Sequence, residues 1–375
     1  MTQATRPPRL VGLDLVRVVA LLLVIAIHCD HWPYQASGLP QRVWSTLDLL
    51  FRVSVPLFMI LSGFLLTYRA QHALPVGQFL RRRLNRSLIP WIVWMPVYTL
   101  IGVFLTKEII PASWAAVGAW WALGGGHLWY LLLIPQLYIL FQFWPTSNRG
   151  LLLAAAISVA VQLALTSYRL LGPQTEPVNS FLLAHGYQVA PLWMGYFGIG
   201  LAVGRWWQIE RLDTWHTWEV TGIFTLATVA GAVLLVLVNG SHTPNAEFVQ
   251  GTGAFLLPTL IPVTVGAFVA LGLAGQRWLA GRPVLTQAVA AVSRYSLGIY
   301  IVHEALTYTI GPVQYLSVAQ ASLAVSLVLF VLQVAVTFAL SYAVSRAIAA
   351  TRLAITIGLP PEPWRWSEWR QPFAV

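Results

Sequence analysis

Long apolar stretches run through the whole chain and restrict its fold more than any other feature. Hydrophobic residues make up 58% of the sequence and charged residues only 9%. A helix of about 20 apolar residues spans a bilayer, and no soluble fold hides so much apolar surface. The sequence therefore predicts an all-α polytopic membrane protein. Its ten expected transmembrane helices lie at about 13–31, 48–68, 88–106, 127–145, 150–168, 188–206, 218–238, 252–274, 286–309 and 319–345.

Basic residues divide unequally between the two sides of this arrangement, and cytoplasmic loops of membrane proteins carry the excess. With a cytoplasmic N-terminus, only Arg42, Lys107 and Arg169 fall in outer loops, and Arg17, Arg52 and Arg294 fall within spans. The other sixteen lie inside: Arg6, Arg9, Arg69, Arg81, Arg82, Arg83, Arg86, Arg149, Arg205, Arg211, Arg277, Arg282, Arg346, Arg352, Arg365 and Arg370. Both termini are therefore predicted to be cytoplasmic, and the first span to be retained.

The domain organisation expected from these spans is simple. Residues 1–357 form one transmembrane domain, and residues 358–375 form a tail whose three tryptophans place it at the membrane interface. The outer loops, 31–47, 107–126, 169–187 and 239–251, are short. The net charge of +10 is explained by orientation and by anionic headgroups or phosphates, so no nucleic-acid partner is expected.

The first span carries ionisable residues, which are costly in a membrane and therefore mark functional candidates. Arg17 and His28 are eleven positions apart, which places them on one helical face roughly 16 Å apart along the axis. Asp14 is three residues before Arg17, close enough to pair with it. Cys29 is the sole cysteine, so a disulfide within the chain and a Cys-based metal site are excluded. Two roles are open for Cys29: it can act as a nucleophile, or it can simply pack as an apolar side chain.

Four ordered segments resemble the acyltransferase-3 family of membrane acyltransferases. They are Gly12-Leu-Asp-Leu-Val-Arg17 with His28, Arg52 to Leu65, His127-Leu-Trp-Tyr-Leu131, and Ser293-Arg-Tyr-Ser-Leu-Gly-Ile-Tyr-Ile-Val-His303. They extend over about 290 residues. The likeness is greatest to stand-alone members that O-acetylate surface glycans, enterobacterial common antigen among them, without a fused esterase-like domain.

This resemblance implies an O-acyltransferase of the bacterial inner membrane, most simply an O-acetyltransferase. The donor would be cytoplasmic acetyl-CoA or another acyl-CoA, with no permanently bound cofactor. The acceptor would be a hydroxyl of an extracytoplasmic glycan or lipid-linked sugar. Direct transfer and an acyl-enzyme relay both stay open, as do the acyl group and the oligomeric state.

The candidate catalytic residues are His28 and Arg17. A neutral imidazole at His28 can accept a proton from the acceptor hydroxyl, or can carry the acyl group covalently. Arg17 can bind a CoA phosphate, or form a purely structural pair with Asp14. Arg52 can stabilise an oxyanion or hold the acceptor, while Asp48 four residues earlier offers a structural pair.

Further candidates lie later in the chain. We assign His127, Trp129, Tyr300 and His303 to acceptor binding, with a second acid–base role open for His303. An interfacial aromatic belt and helix-packing hydrogen bonds are the alternatives. Four arginines suit the phosphates of CoA, although topology and anionic lipid would produce the same cluster: Arg81, Arg82, Arg83 and Arg86. No metal site is expected, because no metal-ligand spacing occurs in the sequence.

Two other functions fit parts of the sequence. A proton-coupled exporter or flippase would use intramembrane His and Arg residues as a proton relay. An acyltransferase acting on a macrolide or another small secondary metabolite would share the donor chemistry. The ordered segments favour an acyltransferase over the exporter, whereas no segment identifies the acceptor.

Overall fold

The computed structural model describes residues 9–29, 38–69, 74–106, 114–122, 124–173, 175–210, 217–239, 252–318 and 322–360. These residues form helices and no strands. Backbone polar groups inside a bilayer need internal partners, and an apolar helix satisfies them within its own segment. The α-helices are α1 Val11–Cys29, α2 Gly38–Phe51, α3 Ser54–Tyr68, α4 Val76–Ile101, α5 Trp114–Ala122, α6 Trp129–Phe141, α7 Asn148–Leu171, α8 Pro177–His185, α9 Met194–Glu210, α10 Thr217–Asn239, α11 Leu260–Leu279, α12 Pro283–Val318 and α13 Leu323–Ala349.

Short 3₁₀-helical and π-helical segments join these α-helices. A π-helical turn follows α4, and 3₁₀ turns precede α6, α9 and α11. A last 3₁₀ segment, Arg352–Ile357, follows α13 and ends at Gly358 in the left-handed region (φ 71°). Helices also occupy parts of three predicted outer loops, since α2 begins at Gly38 and both α5 and α8 lie in segments expected to be loops.

Seven helical segments of the described chain are long and apolar enough to cross a membrane. They are Val11–Cys29, Gly38–Tyr68, Val76–Phe104, Asn148–Leu171, Trp218–Val238, Leu260–Leu279 and Leu323–Ala349. The predicted helical membrane fold is thereby confirmed. Predicted spans four, six and nine coincide with α6, α9 and the middle of α12, which fall outside this set. The count of ten and the side of the termini stay predictions.

The predicted second span, 48–68, is not one continuous helix. The α-helical hydrogen-bond ladder is interrupted at Arg52 and Val53, between α2 and α3, while Val53 keeps helical backbone angles (φ −64°, ψ −16°). Pro56 explains this break, because a proline cannot donate its backbone nitrogen to the carbonyl four residues earlier, and its ring crowds that carbonyl. Arg52 lies in this turn, within the Gly38–Tyr68 segment that is long and apolar enough to cross a membrane, in agreement with its predicted place inside a span.

Two compact units divide the chain. The first contains Met1–Ala20, Val53–Arg81 and Gln136–Ser293. In this unit α3 packs along α9, α9 packs against α7, and α10 packs against α11. Its aromatic core centres on Phe64, whose ring lies 5.5–5.7 Å from the rings of Tyr68, Trp207 and Phe268.

The second unit contains Leu21–Arg52, Arg82–Pro135 and Arg294–Val375. Phe330 of α13 lies between the rings of Trp44 and Phe51, 5.1 and 5.8 Å away. Gly298 of α12 brings its backbone against Ser345 of α13, where an added Cβ would lie 2.9 Å from the serine hydroxyl. The single domain to residue 357 stays a prediction, and residues 361–375 of the predicted tail lie outside the described residues.

Candidate active site

Three histidines of the second unit come together although they are far apart in sequence. His28 lies in the last turn of α1, His127 in the 3₁₀ turn before α6, and His303 in α12. The ring centroids are 4.9 Å apart for His28 and His303, 5.1 Å for His127 and His303, and 6.1 Å for His28 and His127. We call these residues and Glu304 the histidine cluster.

Glu304 is the acidic residue of the histidine cluster, and donors surround its carboxyl group. Oε2 contacts Nδ1 of His127 and accepts the backbone N–H of the same residue at 3.3 Å. Oε1 accepts the hydroxyl of Tyr308 at 2.8 Å and lies 3.7 Å from Nδ1 of His28. One buried carboxylate therefore faces two imidazoles from different helices.

Backbone carbonyls fix the proton positions on two of the rings. Nδ1 of His303 lies 2.6 Å from the carbonyl oxygen of Tyr300, and Nε2 of His127 lies 3.2 Å from that of Ile301. A carbonyl oxygen can only accept, so both nitrogens carry a proton. Nε2 of His303 is buried without a hydrogen-bond partner among the described residues.

Exposure separates His28 from its neighbours. Its side chain is 28% exposed, whereas that of His127 is 2% exposed and His303 is completely buried. A substrate can therefore reach the ring of His28 directly. His127 and His303 are enclosed by surrounding residues, and their predicted roles in acceptor binding stay predictions.

Tyrosines from three helices enclose the cluster. The hydroxyl of Tyr300 donates to the backbone carbonyl of His127, and the Tyr130 ring lies 5.7 Å from that of Tyr300. Tyr98 of α4 places its ring 4.7 Å from His127. Its hydroxyl donates to the carbonyl of Ile301 at 2.5 Å and accepts the N–H of Ala305 at 3.1 Å. Tyr98 thus bridges two backbone groups that an α-helix normally joins directly.

The glycines before His127 allow the chain to reach Glu304. Gly124 and Gly126 have φ of 67° and 62°, in the left-handed region that glycine adopts without strain. The Trp120 ring occupies the space that a Cβ at Gly125 would need. Trp129, expected to bind the acceptor, is 5% exposed, and its binding role stays a prediction.

A buried ion pair lies elsewhere in the second unit. Arg52 donates Nη2 to Asp48 Oδ1 at 2.7 Å and Nε to the same oxygen at 3.1 Å. The two side chains are 8% and 7% exposed. The predicted pairing is present, and a role in oxyanion stabilisation or acceptor binding stays a prediction.

The first unit holds a separate polar network around Asp14. Arg17 donates Nη1 to Asp14 at 3.3 Å and to the hydroxyl of Ser293 at 2.5 Å. Ser293 donates to Asp14 at 2.6 Å, and Arg9 donates to its other oxygen at 2.8 Å. The predicted Asp14–Arg17 pair is therefore part of a four-residue network. Arg17 keeps 23% of its side chain exposed, enough to contact a ligand.

The four clustered arginines lie within α4 rather than in a loop before it. Arg81 belongs to the first unit, and Arg82, Arg83 and Arg86 belong to the second. Arg86 donates Nε to the backbone carbonyl of Gly358 at 3.0 Å. It therefore has a structural contact besides any role in binding CoA, which stays a prediction.

Sequence reasoning missed several of these partners. Glu304 has no role assigned from the sequence, yet Tyr308 one turn later could have indicated a hydrogen-bonded carboxylate. Ser293 belongs to a recognised segment but had no assigned role. Tyr98 gave no signal, because it is one of 13 tyrosines in a chain rich in aromatic residues.

No group of three metal-binding side chains is arranged to hold a metal ion within the described ranges. The geometry of the histidine cluster explains why. Tyr308 and His127 occupy the carboxylate of Glu304, while His127 and His303 each direct one ring nitrogen to a backbone carbonyl.

The described residues thus define a helical membrane protein with a buried His–Glu cluster, and comparison with known families identifies its family. The sequence model of the acyltransferase domain family, acyltransferase-3, matches residues 10–346. The chain belongs to this family and is a membrane acyltransferase. No curated protein and no solved structure matches the chain.

Proposed function

We propose that this membrane acyltransferase is an O-acetyltransferase of the bacterial inner membrane. Its donor is cytoplasmic acetyl-CoA or a related short acyl-CoA. Its acceptor is a hydroxyl of an extracytoplasmic glycan or lipid-linked sugar. The observation that carries the proposal is the accessible imidazole of His28 beside the buried carboxylate of Glu304.

The chemistry of acyl transfer fits this pair. In direct transfer, His28 accepts the proton of the acceptor hydroxyl while the hydroxyl oxygen attacks the thioester carbonyl. The C–S bond then breaks, and the departing thiolate takes the proton from His28. Glu304, whose Oε1 lies 3.7 Å from Nδ1, orients the His28 ring through these steps. A covalent acyl-imidazole intermediate uses the same residues, with His28 as the nucleophile.

The donor side of the proposal rests on cations. Arg17 is partly exposed and belongs to a network of one carboxylate and two guanidinium groups. This network therefore carries a net positive charge. Arg82 and Arg83 lie near the beginning of α4 in the second unit. Guanidinium groups bind phosphate oxygens through paired N–H donors, as the phosphates of CoA require.

The alternative functions differ in their support. Family membership supports an enzyme that transfers acyl groups over an exporter or flippase. A small secondary metabolite as the acceptor uses the same donor and the same His28 chemistry. No observation in the structure favours it over a glycan.

The decisive experiment measures acyl transfer from radiolabelled acetyl-CoA in membranes that contain the protein. We compare the wild type with His28→Ala and Arg17→Ala at matched expression. The controls are His185→Ala and Arg149→Ala, which change the same residue types at positions with no proposed role.

We expect label in a glycan or lipid fraction for the wild type and both controls, and its loss with His28→Ala. Label on the protein instead would indicate an acyl-enzyme relay. Wild-type membranes that consume neither acetyl-CoA nor longer acyl-CoAs, with glycan, lipid-linked sugar and macrolide acceptors all offered, would refute the proposed reaction.

A further inference from the structure

We infer that His127 and Glu304 hold one proton between them, so that the pair is electrically neutral beside His28. The inference explains how the charge beside His28 is controlled during the proposed reaction, and to that extent it rests on the proposed function. It assigns His127 to positioning and charge control, whereas the sequence pointed to acceptor binding.

The proton count follows from the partners of the His127 ring. Nε2 faces the carbonyl of Ile301, which can only accept, so Nε2 carries a proton. Nδ1 contacts Oε2 of Glu304. The contact lacks hydrogen-bond geometry, but an unprotonated ring nitrogen against a carboxylate oxygen would repel it, so the pair holds one further proton. It belongs either to an imidazolium beside a carboxylate or to a carboxylic acid beside a neutral imidazole, and both arrangements have no net charge.

Burial makes this count energetically important. The side chains of His127 and Glu304 are 2% and 8% exposed, and a buried charge without a partner is strongly disfavoured. The partners of Glu304 are all donors that can stabilise a carboxylate: the hydroxyl of Tyr308 and the backbone N–H of His127. The ionised form with an imidazolium at His127 therefore fits the surroundings.

The other titratable groups around His28 do not change this balance. The tyrosines that contact the histidine cluster, Tyr98, Tyr130, Tyr300 and Tyr308, are phenols without charge, and His303 donates Nδ1 to a carbonyl. In the wild type, His28 thus faces a neutral pair. Removing only the proton of His127 would expose His28 to a full negative charge 3.7 Å away.

The first test reads the protons directly and needs no substrate. Protein labelled with ¹⁵N-histidine, purified in detergent, is compared by NMR with the variants His127→Asn and Glu304→Gln in mildly alkaline buffer. Among the eight histidines of the wild type, we expect one ring with both nitrogens protonated, absent from both variants. A protonated carboxyl band in the infrared spectrum, lost in Glu304→Gln, would equally support the shared proton. Finding neither signal would overturn the inference.

The second test uses the pH dependence of acyl transfer. Asparagine keeps a donor near the position of Nδ1 but cannot hold the extra proton. In His127→Asn the carboxylate of Glu304 has no imidazolium partner, so it favours the protonated form of His28. The acid limb of the pH–activity profile should therefore move to higher pH by about one unit or more. In His127→Asn/Glu304→Gln the limb should return to the wild-type position. An unmoved limb in active His127→Asn would contradict charge control by His127.

These outcomes separate the two proposals. If no donor or acceptor supports acyl transfer, the NMR and infrared measurements still decide whether the proton is shared. If acyl transfer occurs but the wild-type pair is anionic, the inference fails while the proposed function stands. His127→Gln, which retains a donor near the position of Nε2 toward Ile301, provides a folded comparison if asparagine destabilises the turn.

Discussion

Residues of very different exposure share the histidine cluster, and this difference divides their tasks. His28 is accessible, whereas Glu304 and His127 are held by hydrogen bonds inside the protein. A group that must exchange a proton with a substrate needs access, and a group that sets its orientation needs rigid contacts. In the proposed reaction, charge and reactivity at this site are therefore set by neighbours that a substrate does not touch.

Tyr98→Phe tests the contact of α4 with the backbone of α12. The hydroxyl makes two hydrogen bonds, to Ile301 and from Ala305, and both disappear in the variant. We expect kcat to fall about 10- to 100-fold because the carbonyl that orients His127 shifts. Stability should fall by about 1–2 kcal/mol. Acyl-transfer kinetics and thermal unfolding in detergent provide the measurements.

Tyr295→Phe is the matched control for this prediction. Tyr295 also belongs to α12, and its ring lies 5.7 Å from that of Tyr342, a contact that phenylalanine preserves. It should retain wild-type kcat. Equal activity in the wild type and Tyr98→Phe would show that the bridge to α12 has no influence on the reaction.

Asp48→Ala tests the buried ion pair. The substitution leaves the guanidinium of Arg52, 8% exposed, without its carboxylate partner. Breaking a buried pair in this way typically costs about 3–5 kcal/mol, so the thermal unfolding temperature in detergent should fall markedly. The double variant Asp48→Leu/Arg52→Met should recover most of the loss, because it removes both charges. A double variant as unstable as the single one would argue that Arg52 is held by its other contacts.

Individual site residues show how much of the candidate site could be predicted from the sequence. Position in the spans and recognised segments predicted His28, His127, Tyr300 and His303 as site residues, and the structure places these four in one cluster. Their roles in catalysis and binding stay predictions. The bond between Tyr98 and α12 joins residues 203 positions apart, and one sequence gives no signal for such a contact.

At the scale of elements, helix α9 depends on glycine for its packing against α3. Gly200 and Gly204 lie one turn apart, and a Cβ on either would overlap the backbone carbonyl of Ile60 or Phe64. Small residues at this spacing allow helix backbones to approach closely in membranes. The packing of the first unit therefore depends on two positions without side chains.

Gly200→Ala and Gly204→Ala should each destabilise the protein by about 1–3 kcal/mol, because a rigid backbone lies where the methyl group would be. Thermal unfolding in detergent measures this effect. Gly222→Ala in α10 is the control, since no atom lies within 4 Å of its added Cβ. Equal unfolding temperatures for all three variants would contradict close packing of α3 and α9.

Element boundaries were harder to predict than element type. The apolar run from 48 to 68 continues through Arg52, so hydropathy favours one span, although Pro56 is a local signal for the break. Outer segments rich in Gly, Pro and Trp resembled loops, yet α5 and α8 form there. Amino-acid composition therefore predicts which segments lie in lipid more reliably than it predicts where each helix ends.

At the scale of the whole molecule, composition determined the class of fold and charge predicted its orientation. The helical membrane fold is confirmed, and the orientation stays a prediction that α7 can test. This helix has 24 residues and is roughly 36 Å long, sufficient to cross a bilayer. The division into two compact units could not be predicted, because it depends on contacts between distant segments.

Single cysteines at the two ends of α7 should differ in accessibility from outside the cell. In a Cys29→Ser background, Thr175→Cys should react with a membrane-impermeant maleimide in intact cells, and Thr146→Cys only after permeabilisation. Both positions are exposed, so a difference in labelling reports the side of the membrane. The opposite pattern would invert the predicted topology.

The Tyr98 bridge gives one backbone amide of α12 an unusual partner. The N–H of Ala305 donates to a side chain of α4, two residues beyond His303. Hydrogen–deuterium exchange at this amide therefore reports the separation of two helices, in addition to fraying within one. The exchange lifetime of this amide measures how often α4 separates from α12 beside the histidine cluster. A bound acceptor that holds the two helices together would lengthen this lifetime.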